Sequence, residues 1–180
     1  MEPFRPTRGG GVRAALAPAE ASLLRSLVGQ VITLIAPDGP PPSPAKDLLD
    51  WDAPAIQPET PDDPVLARLL PDGYRDDPQA SQEFRKYTES GLRSAKHETA
   101  LELLNTLPET GGKIQLTADQ AQAWLKALND VRLALGVRLN VTEEFEDQWS
   151  RLGPQDPQWA AYEVYAWLGA VQESLVQALA

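Results

Sequence analysis

The strongest hydrophobic pattern in the chain runs from Lys113 to Leu139. Ala121, Trp124, Leu125, Leu128, Val131 and Leu135 recur at steps of three and four, the spacing that gathers side chains on one face of an α-helix. Thr117 stands where its hydroxyl can accept from the first free amides, and Gln120 can reach back to close a capping box. Alternation from Lys113 to Leu116 predicts a short strand leading in. A similar unit opens the chain. Phe4 to Arg8 and Val12 to Leu16 flank Gly9, Gly10 and Gly11, which predicts a β-hairpin because glycine reaches positive φ without steric cost. Pro18 suits a first helical position, and Ala21, Leu24, Leu27, Val28, Val31 and Ile35 then form an apolar face. Leu23, Ile32 and Leu34 widen that face, so this helix is expected to be buried on most sides.

The two units match at an offset of one hundred. Leu16 and Leu116, Ala21 and Ala121, Leu24 and Trp124, Val28 and Leu128, Val31 and Val131, and Ile35 and Leu135 correspond. A strand–helix duplication explains this, and so does the limited vocabulary of amphipathic helices. Between them, Pro37 to Pro64 holds nine of the 17 prolines together with Asp47, Asp50, Asp52, Glu59, Asp62 and Asp63. Proline fixes φ and removes a donor, so this segment reads as an extended, disordered insertion, with a brief turn at Ala45 to Trp51. Asp63-Pro64 starts a short helix that Pro71-Asp72-Gly73 stops. Asp77-Pro78 starts another, with Phe84 and Tyr87 as its apolar pair, and Thr88 is placed to cap a third through Leu107. Beyond Gly136 comes an acidic run, then a break at Gly153-Pro154. A last helix follows Asp156-Pro157 and carries Ala161, Val164, Leu168, Val171, Leu175 and Leu179.

The fold class that follows is mainly α (α+β). A single helical domain of about five to seven helices carries a small antiparallel hairpin or three-stranded element. Residues 1–36 supply the hairpin and first helix, 37–63 the proline-rich acidic insertion, and 64–180 the helical remainder of the same domain.

Charge and composition narrow the function. A formal charge of -10 on 180 residues works against gripping a phosphate backbone unaided, since such binding comes from cations displacing counterions. No apolar run approaches the roughly 18 residues of a membrane span, and no apolar signal core follows the N-terminal arginines, so the expected location is the cytoplasm. There are no cysteines, which removes disulfides, thiolate nucleophiles and zinc–thiolate sites together.

Few residues are equipped for chemistry. His97 is the single histidine, at the border of an apolar face. A zinc site there would need carboxylates for every other ligand, and no G-x-S-x-G elbow offers it a nucleophile. Glu143, Glu144, Glu146 and Asp147 read as a solvated acidic surface, since raised acid pKa values need burial. Gly9 to Gly11 lack the lysine and hydroxyl of a phosphate loop. The expectation is no catalytic residue, no metal and no cofactor. Arg5, Arg8 and Arg13 on the hairpin are candidates for a weak nucleic-acid contact. Arg85, Lys86, Arg93 and Lys96 are interleaved with Glu83, Glu89 and Glu98, and Glu89 to Arg93 is a helical i,i+4 pair. Asn129, Asp130 and Arg132 interrupt the apolar helix at its centre. They are candidates either for a polar network tying it to a neighbour through Glu173 or Gln172, or for partner binding.

FRPTRGG…APAEASLLRSLVGQ, DDPVLARLLPDGYRDDPQASQEFR, LNTLP…GGKIQLTADQAQAWLKALNDVRLALGVRL and YAWLGAVQESLVQAL, in this order, resemble the actinobacterial AosR family, long catalogued as a domain of unknown function. The resemblance covers nearly all of the chain outside the proline-rich stretch. It implies a cytoplasmic transcription regulator of the oxidative-stress response that works with an alternative sigma factor on promoters of cysteine-biosynthesis genes. It also implies redox sensing through a nearby cysteine pair, and here this chain departs from the pattern, having no thiol to oxidise. The expected partner is therefore a protein, a sigma factor or RNA polymerase, without a thiol switch. The alternative is an interaction adaptor outside transcription, for example in regulated proteolysis.

Overall fold

Val12, Ala14 and Leu16 put alternate side chains on one buried face, and so do Ile114 and Leu116, the period-two pattern of a half-covered sheet. In the computed structural model, which describes residues 1–36, 61–74 and 76–180, they lie on β2 (Val12–Leu16) and β3 (Gly112–Leu116). With β1 (Glu2–Pro6) they form an antiparallel sheet of order β1-β2-β3. The helices are α1 (Pro18–Ile35), α2 (Pro64–Leu69), α3 (Pro78–Thr106), α4 (Ala118–Arg138), α5 (Phe145–Arg151) and α6 (Trp159–Leu179), and α6 packs along β1, where Phe4 N donates to Ser174 Oγ (3.4 Å). The six helices and small sheet agree with the mainly α reading. Residues 37–60, with the expected turn at Ala45 to Trp51, lie outside the described residues.

The hundred-residue offset has a geometric counterpart. β2 pairs with β3 with Ala14 opposite Ile114, flanked by Val12 opposite Leu116 and Leu16 opposite Gly112. That register is symmetric about the one pair whose members are themselves a hundred residues apart. Each strand passes through a single linking residue into its helix. Thr117 accepts from Gln120 N (3.2 Å) while Gln120 Oε1 accepts from Thr117 N (3.0 Å). In the first unit Glu20 Oε2 accepts from Ala17 N (2.7 Å), the half of the box that alanine allows. The glycines preceding the strands each lie against the other unit's backbone, although Gly111 alone of the two has positive φ. A Cβ on Gly11 would fall 2.3 Å from Leu116 O, and one on Gly111, at φ +77°, would fall 2.8 Å from Leu16 O. The antiparallel register thus relates β2 and β3 symmetrically, and each strand leads into a helix through one residue.

α4 is the centre of the packing and touches α1, α2, α3 and α6. Trp124 is fully buried, edge-on to Phe4 (5.8 Å), and its Nε1 donates to Thr106 Oγ1 (2.7 Å), which removes the cost of burying an indole N–H. The core draws on both sides of the 37–60 stretch, from Val12 and Leu24 to Leu168 and Leu175.

Four expectations need correction. The first strand spans Glu2–Pro6 instead of Phe4 to Arg8, with the turn closed by Thr7 N donating to Gly11 O. α1 buries one face only, and Ser22, Ser26 and Gln30 are exposed. The stretch from Pro78 to Thr106 is one helix instead of two, because Thr88 Oγ1 donates to Phe84 O (2.9 Å) and bonds back into the helix instead of capping a new one. Finally, Phe84 and Tyr87 do not pack into the core. Tyr87 is 85% exposed, and Ser81 and Arg85 hold the inward positions.

Candidate functional site

Three of the four cations that looked like a basic cluster on the middle helices, Arg85, Arg93 and Lys96, are bonded within the fold, and Lys86 is exposed. Buried Arg85 donates to Leu70 O (3.1 Å) at the end of α2, to Asp72 (2.6 Å) and to Glu89 (2.8 Å). Glu89 also accepts from Arg93 (2.8 Å), whose Nη1 donates to Ile35 O (2.9 Å) and Ala36 O (3.4 Å) at the end of α1. Burial pushes the Glu89 carboxyl up, but the bonds from Arg85 and Arg93 outweigh it and hold the carboxyl below its ordinary value. At the other end Arg25 of α1 donates to Leu107 O and Pro108 O (3.1 and 3.4 Å), just past α3. Antiparallel α1 and α3 thus cap each other. Neither carries a basic residue in its own last turn, and the partner supplies the cation that the C-terminal carbonyls favour. Lys96 pairs with Asp130 (2.6 Å). His97 is exposed.

The interrupting residues on α4 separate. Asp130 is buried and holds α3 through Lys96. Arg132 Nη1 donates to Gln172 Oε1 on α6 (3.0 Å), and its guanidinium lies 5.1 Å from the Tyr165 ring centroid. Glu173 takes no part; it is exposed and accepts from Gln177 on its own helix. Asn129 is exposed and lines a cavity of about 450 Å³ together with Arg132, Tyr165, Arg68 of α2 and Asn140 beyond α4. Asn140, at φ +50°, ends α4 in a Schellman turn, with Val141 N donating to Gly136 O (2.9 Å) and Asn140 N to Val137 O (3.1 Å). Sequence reasoning missed Arg68, Asn140 and Tyr165, since only the folded chain brings α2, the end of α4 and α6 together.

A second surface lies on the solvent face of the sheet. Arg5 and Arg13 are directly opposed across β1 and β2, and Arg13 is opposite Gln115 on β3. With Lys113 they line a basin of about 570 Å³ in which Glu2 is the one acid. Among the described residues none of the three cations has an ion-pair partner. Like charges directly opposed across strands are destabilising, so the chain bears a cost to hold them there. Arg8, in the turn, is exposed and does not line this basin. Glu143, Glu144, Glu146 and Asp147 are exposed around α5, which docks by Phe145 stacked on Tyr162 (5.6 Å). Among the described residues no three of His, Asp and Glu converge to hold a metal ion.

Residues 1–179 match the family described as domain of unknown function (DUF2017). The oxidative stress regulator AosR of Mycobacterium tuberculosis, and that of Mycobacterium bovis, are 40% identical over 95% of this chain and 83% of their own length. The chain belongs to the AosR family. A further member, the putative oxidative stress regulator AosR of Mycobacterium leprae, is 35% identical over the same shares. No solved structure matches the chain. Within the AosR family this member has no cysteine in its 180 residues, so no thiol of its own can serve as a switch. No helix among the described residues is long and apolar enough to cross a membrane.

Proposed function

We propose that this AosR-family chain is a non-enzymatic, cytoplasmic transcription regulator of the oxidative-stress response. It acts by binding a sigma factor or RNA polymerase, and without a cysteine switch. The reading of regulation rests on relatives that carry the name of oxidative stress regulator over most of their length. The observation that supports a docking role is the sheet's solvent face. Unpaired Arg5, Arg13 and Lys113 form a local positive field on a chain of charge -10. Such a patch selects an acidic partner surface and speeds encounter with it. A patch this small on a repulsive whole is poorly matched to duplex DNA.

The test is affinity capture from the native host with the intact chain and with an R5E/R13E/K113E variant, each with and without peroxide. The expected result is recovery of sigma factor or polymerase by the intact chain under both conditions and its loss in the variant. Recovery of a protease complex instead would make the chain an adaptor for regulated proteolysis. Recovery of neither, with turnover of a metabolite tracking the pure protein, would defeat both binding readings.

A further inference from the structure

The cavity between α2, α4 and α6 has a composition at odds with the rest of the chain. Two guanidinium groups, Arg68 and Arg132, two carboxamides, Asn129 and Asn140, and the Tyr165 phenol line about 450 Å³, and no carboxylate lines it. The protein as a whole carries ten more acidic than basic groups. Among the described residues the side chains of Arg68, Asn129 and Asn140 make no hydrogen bond. Arg132 spends one N–H on Gln172, and its Nε is buried without an acceptor. Donors are therefore in surplus, from residues on separate elements.

The site is also held in shape. Tyr165 lies against Arg132, and a Cβ on Gly136 would come 3.3 Å from the Tyr165 ring, so the absence of a side chain at 136 lets the ring sit there. The carbonyls at the end of α4, which would repel an anion, are occupied: Gly136 O and Val137 O by the Schellman turn, and Leu139 O by the Tyr162 hydroxyl (3.2 Å). Leu133 and Val137 supply an apolar wall. The volume falls in the range of small-ligand sites, and guanidinium with carboxamide is the donor set that grips carboxylate and phosphate.

We propose that this cavity binds a small organic anion, carrying a carboxylate or phosphate group, between Arg68 and Arg132. Such a ligand would give a family member without cysteines a signal input that does not use thiol chemistry. The proposal does not depend on which macromolecule the chain contacts.

Inorganic phosphate and malonate are titrated separately into the purified full chain, with chloride holding ionic strength constant. Amide shifts of Asn129, Gly136 and Asn140 are followed. Saturable shifts confined to these residues are expected with at least one probe, and the better probe identifies the charged group. R68Q, at an exposed position that does not carry the fold, weakens binding about tenfold, the equivalent of losing one charge-assisted bond. R132K weakens it similarly while the thermal midpoint reports whether the fold is kept. Absence of saturation with both probes, or unchanged affinity in R68Q, overturns the proposal.

Discussion

At the scale of single residues, three charges do most to explain why the helices meet as they do. Glu89 bridges Arg85 and Arg93, and these arginines reach the carbonyls that end α2 and α1. Replacing Arg93 with Met removes charge-assisted bonds to Glu89 and Ile35. It should cost about 2 kcal/mol, a fall of roughly 6 °C in Tm. Glu89 makes the same network sensitive to acid. Its folded pKa lies below the ordinary 4.5 of an unfolded glutamate, so its contribution is complete above that value and drains away as pH falls through the folded one. The gap in Tm between wild type and E89Q should be widest near about pH 7 and narrow as the pH is lowered below the ordinary glutamate value in a series of melts. A gap that widened in acid would mean that Glu89 is not held as a carboxylate. The i,i+4 pairing of Glu89 with Arg93 was legible in the sequence. The carbonyls that Arg93 and Arg25 cap were not, because those contacts join positions 58 and 82 residues apart.

Elements were legible where one local rule decided them. Thr117 with Gln120 announced α4, and Pro18 announced α1. The rule failed at Thr88, where a hydroxyl able to cap a helix bonded back into one, and the 29 residues of α3 ran on through Gly91. Open space surrounds a Cβ at Gly91, so G91A should stabilise α3 by up to about 1 kcal/mol, read as a raised denaturation midpoint. The strand-leading glycines predict the opposite. G11A and G111A each drive a methyl group into the facing unit's backbone, and should lower stability by about 2 kcal/mol or more, whereas G9A, with nothing nearby, should change it by less than about 0.5. G111A should cost the more of the two, because it also holds alanine at φ +77°, and a neutral G11A would argue against the close approach to Leu116 O.

For the whole molecule, charge placement matters more than charge total. Four exposed acids stand together around α5, while cations without an ion-pair partner gather on the sheet face and in the cavity beside Tyr165. A salt titration with nonspecific duplex should show no binding even at low salt. Binding that fell steeply with added salt would instead assign Arg5, Arg8 and Arg13 to phosphate contact. Arg5 and Arg13 could be named from the sequence as a basic hairpin. Their meeting with Lys113 across three strands could not, because it depends on the pairing of segments about a hundred residues apart. The cavity was half legible: Asn129 and Arg132 stood out as polar breaks in an apolar helix, but nothing local tied them to Arg68 or Tyr165.

The glycines at the strand heads carry a consequence for assembly. Taken alone, either strand–helix unit offers a bare strand edge and one greasy stripe, and its counterpart contributes to covering both. Neither half is therefore expected to hold its shape by itself, however far apart the two stand along the chain.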